Sequence, residues 1–332
     1  MNQIKNETVL IGGTGYVGSV VSEYFNFKDK AVTIIDNNIY QKNITTNSKN
    51  QYLNYDIRDH KKILNLDFSD KNIVFLAGLV GDPITKKYPN ESKDINEVSI
   101  VKFINGITNY KKLIFISTCS NYGLSKSQHP LTEDDPLNPI SLYSKSKVAV
   151  ENFLIDSKKD YTILRFATAF GHSNNMRFDL TLNEFTALQY FNKHIEVYDY
   201  ETSRPYCHVM DFANIIEKVI SSKQELVNKQ IFNVGSNQNN ISKKNLIKII
   251  SEKTGASNFT LVENSKDKRN YIVDFSKVSN ILGFSPRFTI EDGIQEIIAN
   301  LKNDKYGLAV NFELLTNYFG NYEIPPTPLR DV

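Results

Sequence analysis

The sequence predicts an α/β protein built on a doubly wound parallel sheet, with a smaller mixed α/β lobe towards the C-terminal end. Three observations lead to this prediction. Short apolar segments alternate with segments of helical periodicity over the first half of the chain, an order that favours right-handed crossovers between parallel strands. After Gly171 the connecting segments lengthen and helical patterns dominate. The 332 residues are enough for two domains of roughly 150 residues each.

Six short apolar segments in the first half are the predicted strands of the sheet. A seventh apolar segment, Gln230–Val234, is expected to return to this sheet after the lobe has begun. Strands that alternate with helices form a parallel sheet that is covered by helices on both faces. The six predicted strands of the first half span residues 8–12, 31–35, 51–55, 72–76, 112–117 and 161–166.

Two segments between these strands are predicted to be helices. Residues 141–156 form one of them. Residues 91–110 form the other, because four apolar side chains recur there at the spacing of one helix face: Ile95, Val98, Val101 and Ile104.

The domain boundaries follow from the change in pattern along the chain. Residues 1–170, with a returning piece at about 206–235, are expected to form the larger domain. Residues 171–205 and 236–332 are expected to form the lobe and the C-terminal tail. The tail is predicted to pack on the lobe or on a neighbouring subunit, since three apolar residues recur at helical spacing before a proline-rich end that excludes a helix: Phe312, Leu315 and Phe319.

Composition and charge exclude several classes of protein. The formal net charge is +2, so the basic excess that is typical of nucleic-acid binders is missing. No stretch approaches the ~18 apolar residues of a membrane span, and the first residues lack a basic-then-apolar signal pattern, so a cytoplasmic protein is expected. Two cysteines do not make a disulfide scaffold, and the five histidines show no metal-ligand spacing.

A glycine-rich turn joins the first predicted strand to the segment that follows. Gly12, Gly15 and Gly18 permit positive φ and let backbone N–H groups approach a pyrophosphate at the N-terminus of a helix. The second predicted strand leads to Asp36, at the spacing at which an acid binds the ribose hydroxyls of a dinucleotide. This pattern predicts a Rossmann-type dinucleotide site. The Asp36 carboxylate would repel a 2′-phosphate and no arginine is adjacent to it, which favours NAD over NADP.

Tyr143 and Lys147 lie four residues apart on a predicted helix, so that their side chains project from the same face. A nearby ammonium stabilises a tyrosinate and is expected to lower the pKa of Tyr143 from about 10 towards the working pH. Such a tyrosine can take a proton from a sugar hydroxyl while a hydride leaves for a nicotinamide. A Tyr-x-x-x-Lys pair alone is common on solvated helices. The catalytic interpretation of the pair is supported by residues 117–123, which form a hydroxyl-rich strand end. Open α/β sheets bind ligands at such strand ends.

Together these motifs resemble the extended short-chain dehydrogenase/reductases, and within them the NAD-dependent epimerase/dehydratase family that acts on nucleotide-activated sugars. The resemblance runs in order from about residue 8 to about residue 300. Residues 76–83, 165–171, 176–179 and 204–211 are similar to a bacterial branch that contains nucleotide-heptose 4-dehydrogenases and 4-epimerase-like enzymes of surface-polysaccharide synthesis. The resemblance implies NAD as cofactor, a nucleotide-diphosphate sugar as substrate, and a homodimer or higher homo-oligomer formed through the two predicted helices.

The resemblance also implies roles for individual residues. Thr118 matches the residue that hydrogen-bonds the reacting hydroxyl, Tyr143 the acid/base, and Lys147 the residue that holds the nicotinamide ribose. Besides Tyr143 and Lys147, twelve residues are expected to bind the cofactor: Gly12, Gly15, Tyr16, Val17, Gly18, Asp36, Asn37, Asp56, Ile57, Leu76, Ala77 and Gly78. Besides Thr118, four polar residues are expected to bind the substrate: Arg177, Asn183, Arg204 and Arg269.

The reaction implied is NAD-dependent oxidation or epimerisation at C4 of a nucleotide-activated sugar, through a 4-keto sugar, for surface-polysaccharide biosynthesis. Family 4,6-dehydratases carry an acidic pair directly after the catalytic threonine. Cys119 and Ser120 stand in those positions here, which disfavours dehydration. The sequence leaves open whether the protein is an epimerase or a net dehydrogenase. A nucleotide-sugar reductase or dehydrogenase that acts at another carbon, and a non-catalytic NAD sensor, also remain as alternatives.

Overall fold

The computed structural model describes residues 3–40, 46–125, 129–263, 270–307 and 323–325. The strands of these residues, numbered in chain order, are β1 (Thr8–Ile11), β2 (Val32–Asp36), β3 (Gln51–Asn54), β4 (Asn72–Phe75), β5 (Lys112–Thr118), β6 (Thr162–Phe166), β7 (Thr168–Phe170), β8 (Ile195–Tyr198), β9 (Ser203–His208), β10 (Gln230–Val234), β11 (Asn240–Ser242) and β12 (Phe259–Val262).

The α-helices of the same residues are α1 (Tyr16–Phe27), α2 (His60–Leu64), α3 (Asp82–Lys87), α4 (Pro89–Lys93), α5 (Ser99–Gly106), α6 (Leu142–Asp156), α7 (Thr181–Tyr190), α8 (Val209–Ser221), α9 (Gln224–Val227), α10 (Lys243–Thr254), α11 (Ser276–Leu282) and α12 (Ile290–Lys302). Short 3₁₀ turns follow β5 and β10, at Cys119–Tyr122 and Asn237–Asn239.

Seven strands form one wholly parallel sheet in the order β10–β6–β5–β4–β1–β2–β3. This confirms the predicted doubly wound sheet, including the return of β10 to its edge. The chain runs outwards from β1 to β3, then crosses back to β4 and continues in the opposite direction. The strand order therefore reverses between β1 and β4, and ligands bind at the carboxyl ends of the strands beside such a point.

Both faces of the sheet are buried, which explains why its strands are continuous apolar segments. Successive strand residues point to opposite faces. Leu10 belongs to one core together with Phe25 of α1 and Phe212 of α8. Val9 belongs to the other core together with Phe103 of α5. A helical layer therefore covers each face.

The lobe contains two small sheets and several helices. In the first sheet β9 lies between β11, which is antiparallel to it, and β7, which is parallel. The second sheet pairs β12 with β8 in parallel. Apolar residues of α7, α10 and α12 join these sheets in a third core, which includes Phe185, Leu246 and Ile294. The predicted mixed α/β character of the lobe is confirmed.

The predicted helix over 91–110 is interrupted. The structure has α4, then a π-helical segment at Asp94–Val98, then α5, which ends at Gly106. Asn96 lies in the π-helical segment and has no exposed surface. Its side-chain amide makes two hydrogen bonds to the backbone of Leu79: it accepts from Leu79 N at 2.7 Å and donates to Leu79 O at 2.9 Å. A π-helical turn adds one residue to the helix, and here it turns Asn96 towards the loop after β4.

The described part of the tail packs in a place that the sequence did not predict. Ile324 is buried in the core on the Val9 face of the large sheet, so the expectation that the tail packs on the lobe or on a neighbouring subunit is wrong for this segment. Phe312, Leu315 and Phe319 lie outside the described residues.

The described residues contain neither a membrane-spanning helix nor a metal-binding cluster. None of their helices is both long and apolar enough to cross a membrane. No group of three or more His, Cys, Asp or Glu side chains among them is placed to hold a metal ion. Cys119 and Cys207 are buried free thiols.

Candidate active site

A cleft of about 550 Å³ lies at the carboxyl ends of the sheet strands, where the strand order reverses. Its floor is formed by the glycine-rich turn after β1 and by the ends of β2, β4 and β5. The lobe contributes the facing wall through Arg204, Tyr206 and Tyr271. Residues from both parts of the chain therefore share one cavity.

The glycine-rich turn has the shape that a pyrophosphate site requires. Gly12 has φ +86°, and a Cβ at this position would lie 2.3 Å from Ala77 N. A Cβ at Gly18 would lie 2.5 Å from Gly12 O. Gly15 directly precedes α1, and a Cβ there would have no protein atom nearer than 3.8 Å. The turn thus presents bare backbone at a helix N-terminus, which fits the phosphates of a dinucleotide.

Asp36 lies at the end of β2 in the cleft wall, beside this turn. Its carboxylate accepts hydrogen bonds from Thr14 N at 3.0 Å and from Asn38 N at 2.9 Å. These bonds fix the carboxylate at the rim of the glycine-rich turn. A fixed carboxylate at this point suits two ribose hydroxyls and repels a phosphate.

The remaining predicted cofactor residues divide into those that line the cleft and one that lies behind it. Tyr16, Val17, Asn37, Ile57, Leu76, Ala77 and Gly78 line the cleft. Asp56 lies behind the wall, where its carboxylate accepts from Asn37 Nδ2 at 2.9 Å and from the Arg58 guanidinium. A Cβ at Gly78 would lie 3.0 Å from Asn96 Oδ1, so the π-helical segment packs directly on this wall.

Thr118, Tyr143 and Lys147 meet at the other end of the cleft. Lys147 is buried, and its ammonium donates to Ile116 O at 2.8 Å and lies 5.8 Å from the centroid of the Tyr143 ring. Thr118 ends β5 and its hydroxyl accepts from Ser120 N at 3.1 Å. The structure therefore brings together the three residues that were predicted to be catalytic.

The protonation states of this pair differ from the prediction. Burial raises the pKa of Tyr143 to about 12, and the positive charge of Arg177 opposes this rise only in part. Burial also lowers the pKa of Lys147 to about 7, against the opposing effect of the Glu151 carboxylate. The predicted lowering of the Tyr143 pKa is thus not found in this structure. The reason is that Lys147 is buried and Tyr143 lies in the cleft with only part of its surface exposed, so that desolvation acts against both charges.

A buried polar network supports this end of the cleft from behind. Glu151, on α6, has no exposed surface, and its carboxylate accepts from Ser117 Oγ, from Asn121 Nδ2 at 2.8 Å and from the Arg165 guanidinium at 2.7 Å. Arg165 also donates to Tyr122 Oη at 3.1 Å. The network ties α6, β5, β6 and the 3₁₀ turn after β5 to one another.

The predicted substrate residues do not all face the cleft. Arg204 lines it, and its guanidinium lies 5.0 Å from the centroid of the Tyr271 ring. Arg177 also lines it, but donates two hydrogen bonds to Asp179, at 2.9 and 2.5 Å. Asn183 is fully buried behind the wall, and Arg269 lies outside the described residues.

The buried position of Asn183 gives it a supporting function. Its amide accepts from Gly171 N at 3.1 Å and donates to Tyr16 Oη at 3.2 Å and to Arg177 O at 2.9 Å. Tyr16 Oη in turn donates to Gly171 O at 2.7 Å. These bonds connect the start of α1 to the first residues of the lobe, so Asn183 holds the two sides of the cleft together.

The sequence reasoning missed several side chains at the site. Glu151 could have been identified from the sequence, because it follows Lys147 by four residues on the face of α6 that carries the catalytic pair. The sequence indicates Asp179 less clearly, through its position two residues after Arg177. Tyr271 lines the cleft from a distant part of the chain, and no local pattern marks it.

Known proteins with similar sequences and folds point to one family. The model of the NAD dependent epimerase/dehydratase family matches residues 8–235. UDP-glucose 4-epimerase of Halalkalibacterium halodurans is 26% identical over 84% of this chain and 90% of its own. Among solved structures, UDP-glucose 4-epimerase of Thermotoga maritima with UDP-glucose superposes with a TM-score of 0.78 at 21% identity, over 90% of this chain and 99% of that one. UDP-glucuronic acid 4-epimerase of Bacillus cereus, in complex with UDP-glucuronic acid and NAD, also superposes with a TM-score of 0.78. It is 20% identical, over 89% of this chain and 99% of that one.

Proposed function

The chain belongs to the NAD-dependent epimerase/dehydratase family, and on this premise we propose that it oxidises or epimerises a nucleotide-activated sugar at C4. The observation that carries the proposal is the meeting of Thr118, Tyr143 and Lys147 in the cleft that also contains the glycine-rich turn and Asp36. A dinucleotide that spans this cleft would have its pyrophosphate at the glycine-rich turn and its reactive end near Tyr143.

The residues of the cleft fit NAD, the cofactor of the family. The glycine-rich turn would hold the pyrophosphate, Asp36 the adenosine ribose, and Lys147 the ribose of the nicotinamide. When bound, NAD supplies a reversible acceptor for the hydride of the sugar carbon. The protein must then bind the sugar, orient its C4 and move one proton.

Tyr143 is the group that exchanges this proton with the C4 hydroxyl, and Thr118 orients the hydroxyl by a hydrogen bond. Burial holds the pKa of Tyr143 at about 12 and that of Lys147 at about 7. At neutral pH these values leave Tyr143 protonated and Lys147 partly deprotonated, so that Lys147 is the first of the two to lose a proton as the pH rises. The low polarity that shifts both pKa values also strengthens every charge interaction with the substrate.

Arg204 is proposed to bind the diphosphate of the substrate. It lies on the lobe side of the cleft, its guanidinium is held against the Tyr271 ring, and guanidinium groups bind phosphate through two parallel hydrogen bonds. Arg177 is proposed to contribute indirectly, because its ion pair with Asp179 fixes the loop that faces Gly81. A contact of Arg269 with the substrate stays a prediction.

The positions after Thr118 disfavour a dehydratase. Cys119 has no exposed surface, its thiol donates to Arg165 O at 3.2 Å, and burial raises its pKa well above the ordinary value. Ser120 lines the cleft but carries no acid. The keto sugar is therefore proposed to be reduced on its other face or released, in the cytoplasm, for the synthesis of a surface polysaccharide.

The test is to denature the purified protein, identify the nucleotide that it releases, and follow a panel of UDP-, dTDP- and GDP-sugars by NMR. Inversion at C4 without net NADH indicates an epimerase, whereas NADH in equal amount to a keto sugar indicates a dehydrogenase. The variant Tyr143→Phe is expected to lose about 10²–10⁴-fold in rate, the usual contribution of a general acid/base, while it still binds NAD. Tyr110→Phe, which removes a surface hydrogen bond to Asp160 O, is the matched control. Wild-type protein that binds NAD but converts none of these sugars would be a sensor.

A further inference from the structure

The end of the described chain returns to the edge of the large sheet that carries Asp36. Ile324 is 9% exposed and belongs to the same buried apolar core as Ile57. One residue later, the carbonyl of Pro325 accepts a hydrogen bond of 3.0 Å from the guanidinium of Arg58. One apolar and one polar contact therefore dock residues 323–325 beside the segment that follows β3.

Arg58 connects this docked segment to the cleft wall. Its side chain is fully buried, and it donates to both carboxylate oxygens of Asp56, at 2.9 and 2.7 Å. Asp56 in turn accepts from the side chain of Asn37, which lines the cleft next to Asp36. Burial acts to raise the pKa of Asp56, but the hydrogen bonds from Arg58 and Asn37 outweigh it and hold the pKa below its ordinary value.

The apolar residue of the docked segment, Ile324, is connected to the same cleft wall through the core. Ile57 is 7% exposed, lines the cleft and belongs to the core that also buries Ile324. The wall that contains Ile57 and Asn37 lies at β2 and β3, on the opposite side of the glycine-rich turn from Tyr143. A dinucleotide that presents its nicotinamide to Tyr143 has its adenosine at this wall.

We propose that residues 323–325 hold the adenosine end of the NAD site in its binding conformation, from outside the cleft. Ile324 helps to fill the core that contains Ile57, and the Pro325 carbonyl anchors Arg58, which orients Asp56 and, through it, Asn37. These are positioning residues, because none of residues 323–325 lines the cleft. A wall that is fixed in advance binds its ligand more tightly, since less freedom is lost on binding. The proposal rests on the proposed binding of NAD and is independent of the reaction on the sugar.

The first test measures the affinity of Ile324→Asp for NAD and for ADP-ribose by calorimetry. The buried carboxylate undocks the segment, and we expect affinity for both ligands to fall about fivefold or more, the lower end of the coupling found between linked sites. Glu323→Gln changes an exposed neighbour and is the matched control, with wild-type affinity expected. An Ile324→Asp variant that melts at a lower temperature but binds both ligands with wild-type affinity would make the segment merely structural and overturn the proposal.

The second test needs no variant. Coupling between two sites is reciprocal. If docking of the segment raises the affinity for ADP-ribose by a given factor, then saturating ADP-ribose must favour the docked state of the segment by the same factor. We expect hydrogen exchange of a peptide that contains Ile324 to slow about fivefold or more in wild-type protein, as the reciprocal relation requires. Unchanged exchange, or wild-type protein that does not bind ADP-ribose, would overturn the proposal. ADP-ribose carries no nicotinamide, so inactivity on every sugar would refute the proposed reaction and leave this inference standing.

Discussion

Glu151 lies one helical turn beyond Lys147 on α6, and its carboxylate raises the pKa of the Lys147 ammonium against the effect of burial. Two opposing influences thus set that pKa at about 7. The same carboxylate accepts hydrogen bonds from Ser117, Asn121 and Arg165, which keep it in place.

The pH dependence of hydride transfer should report this balance. In a single turnover the rate of NAD reduction is expected to rise with pH, with a midpoint near the Lys147 pKa of about 7, because the site must lose a proton before it can accept one from the sugar hydroxyl. Glu151→Gln removes the interaction that raises this pKa, so its midpoint should move to lower pH. Glu252→Gln, an exposed change on α10, should leave it unmoved. An identical midpoint in wild type and Glu151→Gln would contradict the assignment.

The buried pair of Glu151 and Arg165 should have a large effect on stability when one partner is removed. Arg165→Met leaves the Glu151 carboxylate buried without its guanidinium, and the free energy of unfolding in urea is expected to fall by about 3–5 kcal/mol. Lys62→Met breaks an exposed pair with Asp59 and should cost less than about 1 kcal/mol. The double variant Glu151→Gln/Arg165→Met should lose less than the sum of its single changes. Simple additivity there would show that the two side chains are not coupled.

Asp36 should determine the choice between NAD and NADP. In Asp36→Asn the side-chain oxygen can still accept from Thr14 N, so the turn is retained while the negative charge is lost. We expect the affinity for NADP relative to that for NAD to rise about tenfold, because one charge repulsion with the 2′-phosphate is removed. Titration of both cofactors into both proteins measures the ratio. Wild-type protein that binds NADP more tightly than NAD would show that Asp36 does not have this function.

Two glycines with positive φ should respond differently to substitution by alanine. At Gly12 a Cβ would lie 2.3 Å from Ala77 N, so Gly12→Ala must displace backbone in the cleft and should reduce NAD affinity at least tenfold. At Gly255, which ends α10 with φ +74°, a Cβ meets nothing within 4 Å. Gly255→Ala should therefore cost only about 1 kcal/mol of left-handed strain in thermal unfolding and leave NAD affinity unchanged. Equal losses of NAD affinity in both variants would mean that strain, and not contact with Ala77, governs the turn.

The sheet could be predicted from sequence because its signals are local. The inner strands are buried on both faces and so are mostly apolar, and the glycines and Asp36 lie at fixed distances from strands that were already identified. The Tyr143–Lys147 pair was found in the same way, since helical spacing alone places both on one face.

The differences arise where distant residues decide local structure. The apolar periodicity of 91–110 continues through the π-helical segment, and the bonds from Asn96 to Leu79 that accompany it span 17 residues. The pKa of Tyr143 depends on how deeply its side chain is buried in the cleft, which sequence spacing does not reveal. Ile324 belongs to a core whose other buried residues lie more than 150 positions earlier in the chain. Asn183 is withdrawn from the cleft by hydrogen bonds to Tyr16 and Gly171.

The position of β10 at the edge of the large sheet has a consequence for synthesis of the protein. Its neighbour β6 ends at Phe166, whereas β10 ends at Val234. The ribosome must therefore translate the first part of the lobe before β10 can pair with β6. During that interval the nascent chain carries an unpaired edge strand whose residues, Ile163 and Leu164 among them, are wholly buried in the finished protein. Such an edge is a template for pairing with other chains. The elongation period between these two strands is therefore one in which this edge is open to pairing with other chains.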